Sequence, residues 1–271
     1  SAPTAGTAKV IKIIENFKPF CEVPPIDFCY FSKQFRGGRT VSYTVFVEGE
    51  FDGTGSISDF QDIQQEFKRA AEEFDHHTIL HKNVITEQNA DYVKFKSESV
   101  EACIPKSTAT IVDSFSGNNV VQTITLAIED ELSDRLELNT TCQVDRRRKE
   151  NEIGYLHYIP YDGGVQERLH GHSCFVYACD ETDIVLRNVL HKKIVVSTEG
   201  TERVGTHFRI SSNTKYGKID IIAEQKDVVV LEEYPTIENI AHHFSTLYID
   251  CDGFVLTEGK GKGVTVRNFQ L

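Results

Sequence analysis

The sequence predicts an α+β protein of 271 residues built from two similar halves, and three observations lead there. The first is strict alternation. Val41, Tyr43, Val45 and Val47 fall on one side of "TVSYTVFVEGEFD" (40–52), and "HGHSCFVYA" (170–178) reads as a second strand. The second is helical periodicity, with apolar residues three or four apart in 58–74 and again in 235–249. The third is a charged join, "DRRRKENE" (145–152), between two stretches of similar plan.

In the first half, Ser58 is read as an N-cap with Gln61 completing a capping box. Phe60, Ile63, Phe67, Ala70 and Phe74 form the apolar stripe of the helix that follows. "DHHTILHKN" is read as a polar connection and "STATIVDSF" as a short helix. "VVQTITLAIED" (120–130) is read as a strand, with "RLELNTTCQV" (135–144) as its hairpin partner. In the second half Pro235 and Thr236 open a helix with Ile237, Ile240, Ala241, Phe244 and Leu247 on one face. "FVLTEGKGKGVTV" (254–266) is a strand pair around a glycine-rich turn, set against "TLAIEDELSDRLEL" so that Glu258 and Glu129 correspond. The segment 180–232 fits the repeat poorly and receives no plan.

Composition narrows the function classes. The chain is 39% hydrophobic and 26% charged, and no apolar run approaches the roughly 18 residues that span a bilayer. "SAPTAGTAK" lacks the apolar core of a signal peptide. Seven cysteines without CxxC spacing argue against a disulfide framework, so a reducing, cytoplasmic setting is expected. A net charge of −12 repels polyanions, which argues against a general nucleic-acid or anionic-membrane binder and still allows a small anionic substrate.

The chemistry-bearing stretch is "RLHGHS" (168–173). If a strand begins here, His170 and His172 point the same way, as a strand presents two imidazoles to one metal ion. Gly171 leaves room on the other face.

Together with other motifs, this stretch resembles the 6-pyruvoyl-tetrahydropterin synthase and 6-carboxytetrahydropterin synthase family. The resemblance rests on His170-Gly171-His172, on Pro235-Thr236-Ile237-Glu238-Asn239 ("PTxEN"), on Glu258, and on Asp75-His76 after the first helix. It implies two tandem T-fold domains, 1–145 and 150–271, each an antiparallel four-stranded sheet with helices on one face. It implies a zinc ion (Zn2+) held by His157, His170 and His172, since His157 lies thirteen residues before His170. Three imidazoles leave a fourth tetrahedral position open, as in catalytic zinc sites. Asp75 and His76 would be the proton relay, with His77 a competitor, and Glu258 would grip the pterin, with Glu238 and Asn239 near it or capping the helix.

One departure matters. The family's cysteine before "HGH" is absent, and Glu167, in an "ExxHGH" pattern found in some members, is the candidate acid or base. Each half keeps what the other lacks, so a composite site is expected, with the zinc histidines from the second half and the Asp-His pair from the first. The implied activity is that of a carbon–oxygen lyase on 7,8-dihydroneopterin triphosphate, eliminating triphosphate to a 6-substituted tetrahydropterin, on a queuosine or folate route. Side-chain cleavage to 6-hydroxymethyl-dihydropterin through Glu167, 6-carboxytetrahydropterin formation, and a non-catalytic pterin-binding module stay open. A urate oxidase or GTP cyclohydrolase would explain neither "HGH" nor "PTIEN". Lys260, Lys262 and the run 146–149 are candidate phosphate cations without an assigned role. Sheet edges that neighbours must close imply a homo-oligomer.

Overall fold

The computed structural model describes residues 18–50, 56–115, 119–145, 150–178, 180–248, 251–259 and 261–267. The N-terminal lead, the basic run 146–149, Cys179 and Lys260 lie outside the described residues. The fold is α+β, with four α-helices among the described residues.

In the first half a long hairpin forms from β1 (Phe20–Glu22) and β2 (Ile26–Phe31) against β3 (Arg36–Val41) and β4 (Tyr43–Glu48). Helix α1 (Phe60–Ala71) leads to β5 (His77–His81). A three-strand excursion follows, β6 (Ile85–Gln88), β7 (Tyr92–Ser97) and β8 (Val100–Pro105), before β9 (Ala109–Val112). Helix α2 (Val120–Leu136) and β10 (Asn139–Val144) complete the half.

The second half follows the same order. β11 (Glu152–His157) and β12 (His170–Ala178) form the hairpin, then come α3 (Thr182–Leu190) and β13 (Ile194–Ser197). The excursion is β14 (Thr201–Val204), β15 (His207–Thr214) and β16 (Gly217–Glu224), followed by β17 (Val228–Leu231). Helix α4 (Ile237–Leu247), β18 (Gly253–Thr257) and β19 (Gly263–Arg267) end it. The segment 180–232, for which the sequence offered no plan, is thus the counterpart of α1 through β9.

The sheets differ from the expected antiparallel four-stranded ones. The second half forms one six-stranded sheet, β17-β13-β11-β12-β18-β19, with β11, β13 and β17 parallel. The first half forms β3-β2-β5-β9, with β2, β5 and β9 parallel, and β1-β4-β10. Parallel neighbours require a crossover, and α1, α3 and the excursions supply it. The two excursions join across the halves as β14-β15-β16-β8-β7-β6.

Three local expectations are corrected. "DHHTILHKN" contains β5, whose His77, Thr78, Ile79 and Leu80 are buried because strands flank it on both sides. Residues 109–112 are strand β9, not a short helix. Residues 120–136 are helix α2: Val120, Ile124, Ile128 and Leu132 recur every four residues and are buried, and Asn119 caps the start. Two apolar residues together at 120–121 blur alternation into helix periodicity. β10 therefore pairs with β4, and Glu129 lies on a helix with no correspondence to Glu258.

Other elements form where the sequence places them, with adjusted ends. The α1 cap is Asp59, whose carboxylate accepts from Gln61 N–H, rather than Ser58. Ile63, Phe67 and Ala70 are buried, while Phe60 stays exposed. Burying a side chain such as Phe67 contributes roughly 1.5–3 kcal/mol. In α4, Thr236 is the cap and Leu247 is exposed. No helix among the described residues is long and apolar enough to cross a membrane.

The halves meet backbone to backbone. A Cβ on Gly38 would lie 2.0 Å from the Tyr155 carbonyl oxygen, and one on Gly171 would lie 2.5 Å from Gly38 Cα. The space opposite the two histidines of "HGH" is thus filled by β3 of the first half. Beside this contact Thr40 N–H donates to Ser173 Oγ and Ser173 N–H donates to Thr40 Oγ1, both at 3.0 Å.

Candidate metal centre and adjoining pocket

His157 ends β11 and His170 begins β12, directly opposite one another in register, with His172 two residues on. The three rings stand 4.7 to 4.9 Å apart, centroid to centroid, and are almost completely buried. One nitrogen from each lies within 4.8 Å of the others.

Their other nitrogens are occupied. His157 Nδ1 donates to the Pro235 carbonyl at 2.7 Å, and His170 Nδ1 donates to the Arg168 carbonyl at 2.6 Å. A carbonyl can only accept, so both rings carry their proton on Nδ1 and present a bare Nε2. His172 Nδ1 lies 2.9 Å from Asp27 Oδ1. The Nε2 atoms of His157 and His170 are buried without a hydrogen-bond partner, whereas that of His172 faces the Glu258 carboxylate at 3.1 Å. Three buried imidazoles whose Nδ1 atoms are each backed by an acceptor, with one nitrogen of each within 4.8 Å of the others, match the donor set and outer contacts of a metal site. Burial, then the neighbouring His172, pushes His157 down to about 3. Burial and the other rings hold His170 well below the usual histidine range. Both imidazoles are therefore neutral at pH 7, the form that binds metal.

The "PTIEN" segment supplies part of this frame. Pro235 gives its carbonyl to His157, Thr236 Oγ1 accepts from Asn239 N–H, and Asn239 Nδ2 donates to the Tyr234 carbonyl. Asn239 is thus a local brace.

The Asp75–His76 pair, from the turn between α1 and β5, meets the cluster within one chain. The His76 and His170 rings are 4.7 Å apart, and His76 Nδ1 lies 3.0 Å from Asp75 Oδ1. His76 sits at φ +55°, left-handed backbone that is uncommon for a side-chain-bearing residue. Its N–H donates to the Asp27 carbonyl at 2.6 Å. Burial works against the charged ring, but the Asp75 hydrogen bond and the charges of Asp75 and Asp27 outweigh it and raise the His76 pKa. His77 turns away: its Nδ1 contacts Thr110 Oγ1 at 3.0 Å, and burial, then Arg168, pushes it down to about 4.

A pocket of about 270 Å³ opens beside His157, lined also by Gln166, Glu238, Glu258 and Lys262. Glu258 Oε1 stands 3.1 Å from His172 Nε2. His172 therefore stands between two carboxylates, Asp27 at Nδ1 and Glu258 at Nε2.

Glu167 is held by backbone amides. It is 3% exposed, and its carboxylate accepts from Tyr161 N–H, Lys215 N–H and Gly163 N–H at 3.1–3.2 Å. The carboxylate is thereby tied to the loop before β12 and to the β15–β16 turn.

Sequence reasoning missed Asp27 and the carbonyls of Arg168 and Pro235. Asp27 is 145 residues from His172 and carries no motif. Burial works against its charge, yet the His172 and Thr40 hydrogen bonds, with the charges of His172 and His76, lower its pKa.

No family model and no curated protein matches the chain. Among solved structures it is similar to 6-pyruvoyl tetrahydropterin synthase from Plasmodium vivax, at 21% identity over 44% of this chain and 79% of that one, with TM-score 0.36. The Plasmodium falciparum enzyme of that name gives 19% identity over 47% of this chain and 90% of that one, with TM-score 0.37. An uncharacterized protein from Wolinella succinogenes gives 13% identity over 45% and 96%, with TM-score 0.31. Likenesses this weak assign neither fold nor function.

Proposed function

We propose that the chain is a zinc-dependent pterin enzyme acting on 7,8-dihydroneopterin triphosphate, a carbon–oxygen lyase that eliminates triphosphate to give a 6-substituted tetrahydropterin. One observation carries this reading: three buried imidazoles of the second half, each with a nitrogen within 4.8 Å of the others, stand beside the Asp75–His76 pair of the first. The "HGH" and "PTxEN" motifs and Glu258 support it, since they converge on the same place.

His157, His170 and His172 would hold the zinc through Nε2. Bound there, zinc supplies Lewis-acid stabilisation of negative charge developing on the substrate's side-chain oxygens. His76 moves protons at the side-chain carbons, and Asp75 orients the ring and favours its charged form. Glu258 accepts two hydrogen bonds from the pterin amino group and ring N–H, a bidentate match, while Glu238 lines the same pocket. Among the described residues, Lys262 is the lysine that lines this pocket. Glu167, the candidate acid or base, also holds the loop that carries Gln166 into the pocket, since its carboxylate accepts from three backbone amides.

The halves, 1–145 and 150–271, are read as copies of one T-fold unit. The shared element order and the reciprocal Thr40–Ser173 hydrogen bonds support this. The exposed sheet edges support a homo-oligomer, which light scattering tests.

The deciding experiment measures bound zinc and products together. About one zinc per chain and a tetrahydropterin product by mass spectrometry are expected with 7,8-dihydroneopterin triphosphate. Zinc-loaded protein that returns the substrate unchanged would overturn the activity. 6-Hydroxymethyl-dihydropterin as product would replace elimination with side-chain cleavage, with Glu167 as its acid or base.

A further inference from the structure

Asp27 touches both parts of the candidate site, and none of the motifs includes it. Its backbone N–H donates to Asp75 Oδ1 at 2.9 Å, and its carbonyl accepts from His76 N–H at 2.6 Å. Its carboxylate accepts from Thr40 Oγ1 at 2.5 Å and from His172 Nδ1 at 2.9 Å.

The second half separates the structural share of these contacts from the rest. There Gly154 occupies the corresponding place: its N–H donates to His191 Nδ1 at 3.3 Å, and its carbonyl accepts from Lys192 N–H at 2.7 Å. The turn therefore forms with no side chain at this position. The carboxylate of Asp27 is an addition found in the half that faces the histidine cluster, and it interacts there with His172, Thr40 and the charge of His76.

We infer that Asp27 is a positioning residue that holds His172 with its proton on Nδ1 and its Nε2 aimed at the metal, tying this ligand to the segment that seats the Asp75–His76 pair. His157 and His170 are fixed by backbone carbonyls, which no side-chain change removes, whereas the Nδ1 of His172 is held by this carboxylate and its Nε2 faces Glu258. Carboxylate partners of this kind fix the tautomer and raise the basicity of a metal-bound imidazole.

The inference rests on the metal reading above, and the test separates the two. Zinc affinity of the full chain is measured by competition with a chromogenic chelator, and the histidine tautomers of the chelated protein by ¹⁵N NMR. Asp27→Ala is expected to weaken zinc binding about 10–100-fold. The His172 Nδ1 signal is expected to shift as its hydrogen bond to Asp27 is lost, while those of His157 and His170 stay in place. Thr40→Val, which leaves the carboxylate in place without its hydroxyl donor, is expected to give a smaller loss that Thr40→Ser restores. Should Asp27→Ala fail to fold, the Thr40 pair tests the inference in its place. Unchanged zinc affinity overturns the inference, and so does a weakened affinity with the His172 Nδ1 signal unmoved, the mark of a merely structural role. A wild-type chain that takes up no zinc overturns the metal reading itself.

Discussion

The turns that precede β5 and β13 have the same backbone and different chemistry. His76 at φ +55° and Lys192 at φ +61° occupy corresponding left-handed positions. Each donates its N–H to the hairpin strand, to Asp27 in one half and Gly154 in the other. The residue before each accepts from the same strand, Asp75 in one half and His191 in the other. Pairing registers extend the match. Tyr30 opposite Gly37 corresponds to His157 opposite His170, so Tyr30, Gly37 and Arg39 stand where the second half has its three histidines. The Tyr30 hydroxyl fills the space above Gly37, 2.5 Å from where a Cβ would be. Nearby, Arg36 is bonded to the Lys192 carbonyl and paired with Asp227 at 2.7 Å. The backbone frame is therefore what folding requires, and the side chains decide which of two related places has a site.

The largest effect that would break this comparison is loss of the histidine cluster. His170→Ala removes one of three ligands, and zinc is expected to fall from about one per chain to near zero after dialysis, with turnover lost. His76→Ala comes next: turnover is expected to fall roughly 10²–10⁴-fold with zinc content unchanged, as loss of a proton-transfer group requires. If His76→Ala emptied the zinc site instead, the two parts would not be separate.

Gly38→Ala tests the contact between the halves. Its Cβ would meet the Tyr155 backbone at 2.0 Å, which flexible side chains cannot relieve. A loss of about 1–3 kcal/mol or more is expected in urea unfolding.

A graded effect is expected with pH in chelated protein. His157 is depressed to about 3, so its neutral-state contribution is complete above about pH 6.5 and is lost as pH falls toward 3. His76 is raised, so its contribution is complete below about pH 6.5 and is lost as pH rises through its folded pKa. Histidine NMR titration with unfolding at each pH checks both signs. The smallest effect belongs to Lys192→Ala, the counterpart of the His76 change. It is expected to leave zinc content and turnover within about twofold of wild type, because the side chain is exposed. A loss like that of His76→Ala would end the asymmetry.

Local spacing made part of this legible. Residues two apart on a strand share a face, so "HGH" announced two imidazoles on one side before any fold was known. α4 and its Thr236 cap were equally local, as was the α1 stripe at Ile63, Phe67 and Ala70. The errors lie where neighbours overruled local pattern. β5 looked polar because two strands conceal His77 and Thr78, and α2 looked like a strand because paired valines hid a four-residue repeat.

The sequence by itself determined which side chains could bind metal or move protons, since residue type and short spacing are written in it. Tertiary structure alone decided that β3 packs on β12 through glycines, that His76 stands against His170, and that Asp27 reaches His172. The reason is physical. Spacing fixes direction along one element, whereas contacts between elements follow from how whole sheets bury their surfaces, which no short stretch encodes.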